Sequence, residues 1–393
     1  MGLPFRVARI EWTSLDVAGR ARRIQARDEM NVEVSQDWLD GADPEVLPTA
    51  LRSAYAELSG TIAIRPLGDG LLHQSFHVRA GGSDYVLQRV NEVFSPEIQD
   101  NIGRVTRHLA MRGVCSVTLL TTLDGADSIL IGEQGRWRLM PHLGGVSFKQ
   151  IQSNAQAHSA GAFVGRFHAA LSNFDEPLAP MGISYRDTSL YLSALRRSLR
   201  SHQDHRLWEE VSPLGDRIIE AFDELGPNVD TSECVIHGDL KLQNLLFESV
   251  DPPGRDLAFA LVDMDTLMRA PLWVELGDAW RSWCNPNEED TESVRFSIPI
   301  FEASLRGFLE GLGRDLSDAE QRSLVTAPER ITLELCMRYA ADALEEVYWG
   351  WDEGRFDSRG DHNLARARGQ WQVYRAACET RPERERILLT ARR

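Results

Sequence analysis

Apolar positions recur at helical spacing in PTALRSAYAEL, from Pro48, and then change to strand alternation in TIAIRPL, so a helix followed by a strand is expected to open the first lobe. SFHV (Ser75 to Val78) and YVLQRV (Tyr85 to Val90) alternate on either side of AGGSD, the pattern of a hairpin with a glycine turn. Pro96 stands where a helix can begin, and EIQDNIGRVTRHLAMRG keeps an apolar stripe up to Gly113, a C-terminal stop. Short runs at SVTLL, SILIG and RWRLM are expected to complete a small sheet. After the hinge-like PHLGG (Pro141 to Gly145) the pattern turns mostly helical, in QAHSAGAFVGRFHAAL, SALRRSLR, RIIEAFDEL and further stretches beyond residue 290. The final RPERERILLTARR is charged enough to read as a solvated tail or helix end.

This order predicts an α+β chain of two lobes: a small, mainly β N-lobe over 46–140 and a larger, mainly α C-lobe over 141–393. Residues 1–45 show no clear period and are read as a flexible extension or a misplaced start, with Met30 opening a second plausible beginning. A length of 393 residues with 42% hydrophobic content suits two lobes and therefore a cleft. A formal charge of −16 argues against nucleic acid as a partner, because neutralising phosphates needs a basic face. The cysteines Cys115, Cys234, Cys284, Cys336 and Cys378 lie far apart with no C-x-x-C spacing, so neither a disulfide frame nor a zinc site is expected. No apolar run approaches the roughly 18 residues of a membrane span, and no signal-like apolar segment opens the chain; a soluble, cytoplasmic protein without a membrane partner is expected. Of 43 basic residues only Lys149 and Lys241 are lysines.

Lys241 falls in the segment with the most chemistry, His237-Gly238-Asp239-Leu240-Lys241-Leu242-Gln243-Asn244, between the apolar ECVI and LLFE. Its spacing, H-x-D-x-x-x-x-N, is the general template of phosphoryl-transfer catalytic loops. Asp239 is placed to accept a hydroxyl proton, Asn244 to hold a metal that bridges nucleotide phosphates, and Lys241 to neutralise charge on the transferred group. Further on, the apolar strand AFALVDMDTL ends in Asp263, a suitable magnesium ligand because that ion takes one or two carboxylates with phosphate oxygens and water. Asp265 is either a second ligand or a turn residue. His237 is expected to brace the loop, His168 to pack within a helix, and Trp273, Trp280 and Trp283 to be core aromatics. A lone HGD is equally a capped turn; joined to Asn244, Lys241 and a strand-borne Asp263 in this order, it favours the catalytic reading.

Four stretches, GLLHQSFHV with YVLQRVNEVF, HGDLKLQNLLF, VDMDTL with ELGDAWRS, and HNLARARGQW, resemble the aminoglycoside phosphotransferase and choline kinase superfamily, and within it the N-acetylhexosamine 1-kinase group. They span about residues 66 to 375. The resemblance implies a protein-kinase-like bilobal fold and an ATP- and magnesium-dependent kinase acting on a small-molecule hydroxyl, most naturally that of a sugar or amino sugar and the anomeric hydroxyl included. An aminoglycoside or amino-alcohol kinase, or a nucleotide-binding pseudokinase, is the alternative. It further implies Asp239 as base, with Asn244 and Asp263 on magnesium. Asp278, Arg281 and Arg338 are placed near the acceptor, although Asp278 also reads as a structural aspartate beneath the catalytic loop. Gly68, Gly70, Ser75, Gln88 and Met140 are the candidate nucleotide contacts.

One position departs from the kinase pattern. Where a protein kinase carries a strand lysine for the α- and β-phosphates, YVLQ has Gln88, and the N-lobe contains no lysine. Arg89 follows, but strand alternation aims it at the opposite face.

Overall fold

The computed structural model describes residues 38–40, 47–67, 73–248, 256–287, 290–291 and 294–391. They fall into two compact units, one within Met1–Ser95 and Leu120–His142, the other within Pro96–Leu119 and Leu143–Arg393.

The smaller unit is an antiparallel sheet. Its strands are β1 (Leu39–Asp40), β2 (Ile62–Pro66), β3 (Gln74–Ala80), β4 (Ser83–Val90), β5 (Ile129–Leu130) and β6 (Arg136–Pro141), in the order β1-β2-β3-β4-β6-β5. Gly81 and Gly82, at φ 58° and 82°, form the two-residue turn that joins Ala80 to its partner Ser83. Both lie in the left-handed region that two-residue hairpin turns require. Leu51 of helix α1 (Thr49–Ala54), with Tyr55 and Leu58, packs on the face formed by Ile62, Ile64, Val78, Leu87 and Leu139. Register aligns Ser75, Gln88 and Arg138 in one row across three strands. The period of two places that row, with Met140, on the opposite face.

Three expectations change here. SILIG yields only the two residues of β5, and SVTLL forms no strand: Val117 donates to the Leu261 carbonyl and Leu120 to Leu139, leaving isolated bridges. Within the stretch read as a flexible extension, Leu39 and Asp40 pair with β2; residues 1–37 and 41–46 lie outside the described residues, as do Gly68 and Gly70.

The larger unit begins with α2 (Ile98–Met111), which ends before Gly113 at φ 72°. Although the order of elements predicts an N-lobe helix here, it packs against α3 (Asn154–Leu171), and the Asn101 side chain exchanges hydrogen bonds with the Ala179 backbone. The helices α4 (Thr188–Ser201) and α5 (Trp208–Leu225) follow. Two small antiparallel pairs come next, β7 (Glu233–Ile236) with β10 (Met268–Pro271) and β8 (Leu245–Phe247) with β9 (Ala258–Leu261). The chain ends in α6 (Leu272–Trp283), α7 (Ile298–Leu312), α8 (Asp318–Leu324), α9 (Ala327–Glu345) and α10 (Arg359–Thr390).

Glycine decides how α3 meets α7. A Cβ on Gly161 would stand 2.0 Å from the Ser304 carbonyl oxygen, and one on Gly307 2.0 Å from that of His158, so the two backbones are themselves the interface. Helix α9 is buried along most of its length and packs against α4, α5, α6 and α10. Of the two readings of the terminal segment, a solvated tail or a helix end, the second holds. The segment belongs to α10, where Arg384 is fully buried, ion-paired with Glu329 and bonded to the Val325 and Ala377 carbonyls.

Candidate active site

The loop between β7 and β8 is fixed from all sides. Glu275, buried on α6, accepts the amide hydrogens of His237 at 2.8 Å and Gly238 at 2.9 Å. Arg186 and Tyr185 donate to the Gly238 carbonyl at 2.9 and 3.1 Å, Thr266 to that of His237 at 2.7 Å, and Trp283 to that of Leu240 at 2.9 Å. Gly238 itself has φ 85°, and a Cβ there would meet the Thr266 oxygen at 2.5 Å. His237 is a brace, as its place in the motif suggests. Its Nδ1 accepts the Asp239 amide at 3.3 Å, so Nε2 carries the ring proton and donates to Val262 at 2.9 Å.

On this frame Asp239, Lys241 and Asn244 converge. Lys241 Nζ stands 2.9 Å from Asp239 Oδ2, and the Asn244 amide donates to the Asp239 carbonyl at 2.8 Å and to Oδ2 at 3.2 Å. Burial alone would raise the Asp239 pKa, but Lys241, with His237 and Arg186, overrides it and holds the carboxyl at about 2. Burial acts on Lys241 in the opposite sense, and Asp239, Asp263 and Asp278 outweigh it, keeping the ammonium charged well above its usual range.

The Val262 amide donates to the Asn244 carbonyl at 3.0 Å, which puts Asn244 and Asp263 at the same end of the β8–β9 pair. Asp263 is exposed and adopts φ 64°, unusual for a residue with a side chain. Because the Asn244 nitrogen is engaged by Asp239, the amide oxygen is the atom that Asn244 could offer a metal. An amide oxygen and a carboxylate form a donor set that suits magnesium. Asp265 is 2% exposed, inside the short turn Met264–Thr266.

In the sheet unit, Gln88 donates to the Ser75 hydroxyl at 2.9 Å and accepts from Arg138 Nε and Nη2 at 2.9 and 2.8 Å. Arg138 is 2% exposed. The kinase pattern places a cation on the strand of Gln88, whereas this one comes from the neighbouring strand at the paired position, a relation that only the register reveals.

The acceptor candidates separate. Asp278 is 1% exposed and faces Arg186 at 2.9 Å and Arg281 at 3.1 Å, the geometry of a buried counter-ion beneath the catalytic loop. Arg186 also reaches Glu334 at 3.3 Å and was missed because nothing in SYRDTS marks it. Arg338 is half-buried among Tyr185, Tyr191, Tyr348 and Trp349. His168 is buried but not merely packed: it lies 3.4 Å from Glu275 and 3.9 Å from the Cys234 sulfur. Burial lowers its pKa, and those two partners reverse the effect, lifting it to about 9.

A family model described as the phosphotransferase enzyme family matches residues 63–315. The chain superposes on the microcompartment-associated aminopropanol kinase with a TM-score of 0.58 at 16% identity, over 86% of this chain and 97% of that one. For an amicoumacin kinase in complex with AMP-PNP and Ca2+ the TM-score is 0.56 at 14% identity, over 83% and 92%. Choline kinase from Cryptosporidium parvum gives 0.51 at 11% identity, over 86% and 97%. The likeness is one of fold: a small antiparallel sheet unit and a larger helical one, as in protein kinases.

Proposed function

The chain belongs to the phosphotransferase enzyme family, and from that premise we propose that it transfers the γ-phosphoryl group of ATP, with magnesium, to a hydroxyl of a sugar or amino sugar, the anomeric hydroxyl included. The observation that carries this reading is the clamped loop on which Asp239, Lys241 and Asn244 stand within hydrogen-bond reach of one another.

Asp239 is ionised at neutral pH and half-buried, so it accepts the hydrogen bond of the acceptor hydroxyl, orients its oxygen, and takes the proton as the new oxygen–phosphorus bond forms and the γ-phosphorus parts from the β–γ bridging oxygen, which leaves with ADP. Lys241 compensates charge developing on the transferred group. Arg138, holding Gln88, supplies the positive charge that protein kinases draw from a strand lysine. Asn244 and Asp263 would hold magnesium, which when bound neutralises charge on phosphate oxygens. The sugar reading draws on the likeness in YVLQRVN and HNLARAR.

The test incubates the protein with ATP and magnesium against hexoses, N-acetylhexosamines, aminoglycosides and amino alcohols, following ADP release and product phosphorus NMR, with Asp239→Asn as control. Sugar turnover that the control abolishes supports the proposal. Turnover confined to amines moves the assignment to an amino-alcohol or antibiotic kinase. ATP binding without turnover on a wide panel points to a pseudokinase.

A further inference from the structure

Arg338, on α9, is surrounded by rings instead of counter-ions. Its guanidinium carbon lies 4.8 Å from the Trp349 ring centre, 5.0 Å from Tyr191, 5.7 Å from Tyr348 and 6.0 Å from Tyr185. Among the described residues it makes no hydrogen bond and no ion pair. Other buried arginines of this unit differ: Arg186 and Arg281 both face Asp278, and Arg384 faces Glu329. The nearby carboxylates are engaged elsewhere, Asp278 with those two arginines and Glu334 with Arg186 and the Thr188 hydroxyl. Aromatic faces attract a guanidinium but do not satisfy its in-plane N–H groups.

The frame is constructed, not incidental. Asp342, 4% exposed, accepts the amide hydrogens of Val347, Tyr348 and Trp349 at 2.9, 2.8 and 2.8 Å and the Asn363 side chain at 2.8 Å. That capture turns the chain after α9 back so that Tyr348 and Trp349 cover Arg338. Tyr191 is held by the Ser184 carbonyl at 3.1 Å. Tyr185 donates to the carbonyl of Gly238, immediately before Asp239, so one ring touches both the catalytic loop and the arginine.

We propose that Arg338 and its four rings form the acceptor subsite and select an acceptor that bears an oxyanion, a carboxylate or a phosphate, beside the hydroxyl to be phosphorylated. The inference rests on the kinase reading above and narrows it. An oxyanion takes the open N–H groups as charge-assisted hydrogen bonds, whereas the ammonium of an amino alcohol or aminoglycoside meets like charge.

The experiment compares a neutral hexose, the corresponding hexuronic acid, the corresponding hexose phosphate and an aminoglycoside. Each is tested with wild type, Arg338→Ala and Arg338→Lys, by kcat/KM and by calorimetric binding in the presence of a non-hydrolysable ATP analogue. Wild type is expected to prefer an acidic acceptor over its neutral parent by about 10- to 100-fold. Arg338→Ala collapses that ratio toward one, and Arg338→Lys restores part of it. The carboxylate and phosphate arms show which oxyanion is used. Best turnover on the neutral or cationic acceptor, or an equal loss on every acceptor in Arg338→Ala, overturns the subsite and leaves Arg338 a packing residue. If no acceptor turns over in an Asp239-dependent way, it is the kinase reading that fails, and the calorimetry still decides the subsite: acid binding that Arg338→Ala removes supports it, and no acid binding overturns it.

Discussion

Glu275 holds the backbone amide of His237 at 2.8 Å, so a helix remote in sequence sets the residue that leads into Asp239. Its second oxygen holds Gly238. Glu275→Gln retains the size but replaces one acceptor by a donor that faces an N–H group. The expected cost is about 1–3 kcal/mol of stability together with a fall in kcat that exceeds any change in KM. Urea unfolding and steady-state kinetics on the same preparation test this, and unchanged kcat would show that the loop holds its shape without the clamp.

Asp239→Asn is expected to lower kcat by about 10²- to 10⁴-fold, the range of a lost general base, with ATP binding preserved. In wild type, the depressed Asp239 pKa means that its contribution to stability is present above the ordinary value of 3.8 and is lost as pH falls through about 2. Lys241→Met removes the ammonium and leaves burial to raise the carboxyl. The acid limb of the kcat/KM profile should then move upward by about 1–3 pH units. An unmoved limb would assign it to another group.

His168 links stability to alkaline pH. Its pKa is raised, to about 9 from 6.5, so its contribution is full below about 6.5 and disappears as pH rises through 9. Melting temperature should therefore decline between pH 7 and 10, and His168→Gln should flatten that decline while melting lower at pH 6. Parallel curves for the two proteins would refute the link.

Arg138→Met is expected to weaken ATP binding by about tenfold or more, since a buried charge-assisted contact is worth roughly 1.5–3 kcal/mol, and Arg138→Lys should recover part of it. Calorimetry measures the affinity, and a thermal melt separates lost binding from lost folding. Binding at wild-type strength in Arg138→Met would return the phosphate contacts to Gln88 and the metal.

The hairpin, the helix ending at Gly113 and the catalytic loop were legible in the sequence because each is specified by neighbours within a few positions. Glycine at a turn needs only its own φ, and H-x-D-x-x-x-x-N is one continuous loop. What stayed hidden depends on partners far apart in the chain. Glu275 is 37 positions from Gly238, Arg186 is 52 from the carbonyl that it holds, and Arg138 is 50 from Gln88. The terminal RPERERILLTARR left tail and helix end open for the same reason: Arg384 looks solvated until Glu329, 55 positions earlier, is known to face it.

Scarcity gives the Asp239–Lys241 contact a chemical consequence. With Lys149 and Lys241 as the chain's two ε-amines, an acylating reagent finds very few targets, and one of them lies in the catalytic loop. Asp239 keeps that amine protonated and therefore a poor nucleophile. Electrophiles aimed at the loop would be resisted by the ion pair itself and not by steric cover, and any ligand that draws Asp239 away would unmask the amine to them.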